Sequence, residues 1–148
     1  VTTTTTAFER LALPHLAYGD AVYSMLDQAG LAPDVLESGL RVEDRDRGPE
    51  LFLTLSWLTA HPDLVDEAGV DLLWSHLTGW GVRTGVNSRP LVVSHFAGPA
   101  LLADAVLHLV TEGYDSVWQT DDRNQEWEHA RALDLALNTA AEQGLIAW

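Results

Sequence analysis

The run Leu51-Phe52-Leu53-Thr54-Leu55-Ser56-Trp57 carries a large apolar residue at every odd position. Side chains alternate sides along a strand. The run therefore predicts a strand with Leu51, Leu53, Leu55 and Trp57 on a core and Phe52, Thr54 and Ser56 on the opposite face. The pattern repeats at Val70, Leu72, Trp74 and His76. Thr78-Gly79 then turns the chain into Trp80, Val82 and Thr84, a hairpin signature. Upstream, residues 35–43 predict a strand that ends before a Gly48-Pro49 turn. Downstream, a loop over 85–90 precedes a last strand over 91–95. Residues 61–69 read as a loop or short helix. Within this stretch, Pro62-Asp63 is expected to initiate a turn or to cap a short helix that follows.

Helical periodicity brackets this sheet. Over residues 14–29, Pro14 suits a first turn, where its missing N–H costs nothing. Tyr18, Val22, Met25, Leu26 and Ala29 then form one face, and Gly30 is a stop. Residues 8–13 are expected to form a separate helical turn, since Pro14 would break a continuous helix. Pro99 opens a second helix with Leu102, Ala105, Val106, Leu109 and Val110 inward and Gly113 at its end. A third, over 124–143, presents Trp127, Ala130, Leu133, Leu137, Ala140 and Ala141 before Gly144. The segregated order predicts an α+β fold. Its antiparallel sheet of about five strands has an N-terminal helix and two C-terminal helices packed on one face. The 148 residues make one domain, 8–148, preceded by a disordered Thr-rich tail over 1–7.

Composition removes several function classes. The chain has no cysteine and all eight basic residues are arginine. Thiol nucleophiles, thiolate metal sites, Schiff-base lysines and the lysine of a phosphate-binding loop are therefore all excluded. A formal net charge of −14 repels phosphates, so direct nucleic-acid binding is not expected and a protein partner with a basic surface is. No apolar run reaches the roughly 18 residues of a membrane helix. The amino terminus lacks the basic and apolar regions of a signal peptide, and a cytoplasmic protein is expected. Arginine without lysine and a single isoleucine, Ile146, point to a GC-rich bacterial genome.

The span from Leu73-Trp74 to Gly79-Trp80, with a Leu-Val strand and a Pro-opened helix after it, resembles a small domain family of unknown function from streptomycete-type actinobacteria. The resemblance covers residues 70–110. It implies an α+β domain and an actinobacterial source, and it carries no activity, cofactor or catalytic residue.

Candidate chemistry is sparse. Asp104, His108 and Glu112 share a helical face, and Glu126 with His129 forms a Glu-x-x-His pair. A carboxylate-bridged centre needs two such pairs and further ligands from facing helices, so no metal is expected. His76 and His95 end two predicted strands, but no nucleophile motif surrounds Ser75 or Ser94. With Trp80 they are the candidate lining of a small-ligand or small-enzyme pocket. Residues 41–47 alternate in sign as a charged edge strand, with Arg45 and Arg47 as candidate partner contacts. Six tryptophans exceed what the core requires. Trp118, in a polar loop with Asp121 and Asp122, and Trp148, the last residue, are the candidate contact anchors. The leading expectation is a non-catalytic acidic protein-interaction domain of regulatory, accessory or immunity type, with no cofactor. The alternatives are the Trp/His-lined ligand pocket and a structural subunit of a larger assembly.

Overall fold

Most of the apolar residues that periodicity selects on the helices and the central strands are buried. The computed structural model describes residues 13–42, 48–58 and 69–148. In chain order it contains α1 (Leu16–Gln28), β1 (Val35–Arg41), β2 (Glu50–Trp57), β3 (Val70–Ser75), β4 (Gly79–Thr84), β5 (Asn87–Pro90), α2 (Pro99–Glu112) and α3 (Ala130–Glu142). The expected tail over 1–7, the turn at 8–12, His61-Pro62-Asp63, Arg45 and Arg47 lie outside the described residues.

The five strands form one antiparallel sheet in sequence order, β1-β2-β3-β4-β5. Registers such as Leu53↔Trp74 and Trp74↔Trp80 align the odd residues of β2 with the even residues of β3 and β4. Leu51, Leu53, Leu55, Trp57, Leu72, Trp74, Trp80 and Val82 thereby form one apolar face. Tyr18, Val22 and Leu26 of α1 pack in the same buried cluster, as do Leu102, Val106 and Leu109 of α2 and Leu133 and Leu137 of α3. The helices share one face of the sheet, and Phe52, Thr54, Ser56 and Leu73 lie on the other. At Gly19, α1 lies close over β2: a Cβ there would stand 2.8 Å from Leu53 Cδ2.

Buried polar atoms tie the layers together. The Tyr18 hydroxyl donates to the Ala97 carbonyl at 2.6 Å and accepts from Trp80 Nε1 at 2.9 Å. Its ring also meets Trp74 and Trp80 edge-on and stacks on Trp127. Such pairs contribute about 0.5–1.5 kcal/mol each beyond burial. Burial, the largest cause, pushes the Tyr18 phenol upward; the Trp80 N–H opposes this and Glu126 adds to it. Trp57 Nε1 donates to Leu31 O at 3.0 Å, fastening the chain as it leaves α1.

Three boundaries differ from the sequence reading. β1 ends at Arg41, short of residue 43. The last strand is Asn87–Pro90, and residues 91–95 lie outside any strand. Gly85, at φ +55°, lets a two-residue loop reverse the chain straight after Thr84, which pairs with Asn87. Pro90 then ends the ladder, having no N–H to offer. The third helix begins at Ala130, later than 124. Residues 125–127 are held instead alongside 96–98 by an Ala97↔Glu126 bridge and by Gly98 N–H to Gln125 O and Trp127 N–H to Phe96 O.

Candidate functional site

Beyond β5 the chain runs beside the loop that joins α2 to α3. Leu91 N–H donates to Trp80 O and Ser94 N–H to Arg123 O at 2.7 Å. Gly113, at φ +96°, ends α2, and Ser116 N–H and Oγ both bond its carbonyl. Arg89 clamps this loop. Its Nη2 donates to Tyr114 O at 2.5 Å and Ser116 O at 3.2 Å, and its guanidinium lies 4.5 Å over the Tyr114 ring. Arg89 is thus a positioning cation.

The clamp leaves an open groove of about 690 Å³, with Leu91, Val92, Leu109, Val117 and Trp118 as its apolar lining and Asp121 and Arg123 at its polar margin. Trp118 folds back so that its Nε1 donates to Asp104 Oδ2 at 3.0 Å, and its ring packs partly against the core. Val92 and Val117 stand 71% and 74% exposed. Isolated exposed apolar residues are ordinary, but two of them lining one tryptophan-lined groove make a patch. Asp115, Asp121 and Asp122 are exposed along the same loop.

His76 and His95 occupy structural positions. Leu51 N–H donates to His76 Nδ1 at 3.0 Å, so the proton sits on Nε2, which donates to Ala147 O at 2.5 Å. Trp148, 56% exposed, stacks on this imidazole with centroids 5.5 Å apart and planes 10° from parallel. His95 Nε2–H donates to the His76 carbonyl, and Trp74 Nε1 donates to the His95 carbonyl at 2.8 Å. His76 and His95 are therefore joined, as border residues of β3 and of the segment after β5, and neither lines the groove. Trp80 is a core residue bonded to Tyr18. It also lines a depression of about 710 Å³ on the opposite sheet face, with Phe52, Thr54, Leu73, Gly81 and Arg83.

Of the remaining candidates, Asp104 holds Trp118, Glu126 accepts from Ser94 Oγ at 3.1 Å, and His129 lies 3.4 Å from Glu128. Among the described residues no three His, Cys, Asp or Glu side chains come together as metal ligands, and no helix is long and apolar enough to cross a membrane.

Two buried groups escaped the sequence reading. Glu50 accepts from Arg41 Nε at 3.0 Å and from Ser75 Oγ at 2.6 Å. His15, fully buried and stacked on Trp74, donates from Nε2 to Phe52 O at 3.0 Å, while its Nδ1 makes no hydrogen bond. Burial chiefly pushes its pKa down to about 4. The backbone of Phe52 opposes the shift, the neighbouring His76 adds to it, and the backbone of Gly39 opposes it more weakly. A histidine directly after Pro14 gives no sequence signal of such burial, because its partners lie on β2 and β3.

Comparison of the chain with protein-family models, with curated proteins and with solved structures finds no match.

Proposed function

We propose that the chain is a non-catalytic protein-interaction domain whose contact surface is the groove between residues 89–92 and 116–123. The carrying observation is the pair of exposed valines, Val92 and Val117, on a groove that Trp118 lines. A partner that inserts an apolar side chain there removes this surface from water, at roughly 25 cal/mol per Å². The aspartates of the same loop and the net charge of −14 select a partner with basic residues around that side chain and accelerate the encounter. The small-ligand reading has less support, because His76 and His95 spend their ring nitrogens or backbone on holding the fold.

The test compares the native chain with Val117→Asp as bait in lysate of the source organism, washed at low and high salt. A single stoichiometric partner, lost at high salt and not recovered by Val117→Asp, supports the reading. A partner that the variant retains at undiminished yield refutes it.

A further inference from the structure

We propose that the chain forms a reversible two-fold dimer by pairing β1 with β1 of a second copy, which extends the two sheets into one. Among the described residues, strands β1 and β5 are the sheet's two edges, and they differ in kind. β5 has four residues, ends in proline and is fixed through Arg89. β1 has seven residues, Val-Leu-Glu-Ser-Gly-Leu-Arg, with no proline or lysine, and among the described residues no strand pairs with its outer side. Such a strand presents a row of backbone N–H and C=O groups to any matching chain.

The sequence of β1 matches itself. An antiparallel pairing about Ser38 sets Ser38 against Ser38, Leu36 against Leu40, Glu37 against Gly39 and Val35 against Arg41 of the second copy. All seven residues are then paired. Leu36, Ser38 and Leu40 align with Leu55, Leu53 and Leu51 across β2, so both Leu36–Leu40 pairs continue the apolar face. Leu40, 44% exposed in the single chain, gains the cover it lacks. On the other face Gly39 leaves room beside Glu37, and Arg41, while still bonded to Glu50, lies diagonal to Glu37 of the copy. Opposite charges at that spacing favour the pairing. Sliding the register two residues toward the amino end sets Glu37 against Glu37, which opposes it.

One strand pair buries less than the roughly 1,200 Å² of a standard stable interface, so the dimer is weak and concentration-dependent. Two chains of −14 each repel, and added salt screens that repulsion. Self-association therefore strengthens with salt, the reverse of binding to a basic partner, and the two readings fail separately.

The chain has no cysteine, so a single introduced thiol reports the axis. In Ser38→Cys the two sulfurs face each other across the two-fold. In Val86→Cys an equally accessible thiol sits 98% exposed at the β4–β5 turn. Under mild oxidation the first variant is expected to form disulfide-linked dimer on the order of tenfold faster, through the raised effective concentration. Adding Leu40→Lys should return it to the control rate, although it lowers the net negative charge. Sedimentation of the native chain should show a dimer fraction that rises with protein concentration and with salt. Equal cross-linking of the two thiols, or a monomer at every concentration and salt, overturns the proposal. So does protection of Ser38→Cys from alkylation only when the groove's partner is bound, which assigns the edge to that partner.

Discussion

Acid should weaken this protein through one imidazole. His15 is buried against Trp74, and its pKa falls to about 4 in the folded chain, against roughly 6.5 when exposed. The folded state therefore resists the proton that the unfolded state accepts. The stability this protects is intact above about pH 6.5 and is lost as pH falls from there toward 4. Between pH 7 and pH 5 the loss amounts to about 2 kcal/mol, and below pH 4 it levels off at about 3 kcal/mol. Carboxylates also titrate toward the lower end of this window, so the comparison must cancel them. His15→Gln keeps an N–H for the Phe52 carbonyl and does not titrate. Urea unfolding followed by tryptophan fluorescence at pH 7, 6 and 5 gives each chain's pH slope independently of its absolute stability. The native chain should lose about 2 kcal/mol more than the variant over this range. Equal losses would refute the assignment of a buried, neutral His15.

Other substitutions read other contacts. Gly19→Ala should destabilise by about 1–2 kcal/mol in thermal unfolding, because overpacking against Leu53 outweighs the better helix propensity of alanine; a stabilised variant would mean that Leu53 has room to move. Trp148→Ala removes the stack on His76 and should lower stability by about 0.5–1.5 kcal/mol, seen as a drop of a few degrees in Tm, with the fold retained by circular dichroism. Val117→Asp, on a side chain mostly in solvent, should stay within about 0.5 kcal/mol of the native chain in urea while losing partner binding.

The sheet was legible because β2, β3 and β4 each alternate against a continuous core, and a period of two admits little else. β5 was not. The apolar run Leu91-Val92-Val93 looks more strand-like than Asn-Ser-Arg-Pro, yet what fixes β5 is the turn at Gly85 and a free edge on β4. The third helix starts later than its periodicity predicts because the pairing of residues 125–127 with 96–98 is a tertiary contact without local pattern. The loop position of Trp118 was legible; its tie to Asp104, across a helix end, was not. Arg89 lies in the stretch 85–90 that reads as a loop, and its acceptors are carbonyls more than twenty positions onward, with no local pattern to mark them.

The hydroxyl of Tyr18 bears on how the chain folds. A meander whose strands follow sequence order needs only short loop closures between neighbours, so its hairpins can assemble early and quickly. Tyr18 bonds residues 62 and 79 positions away, and it can do so only after β4 and the segment leading into α2 are in place. Docking of α1 is therefore expected to be a late, high-contact-order step. Substituting Tyr18 by phenylalanine should accelerate unfolding far more than it slows folding.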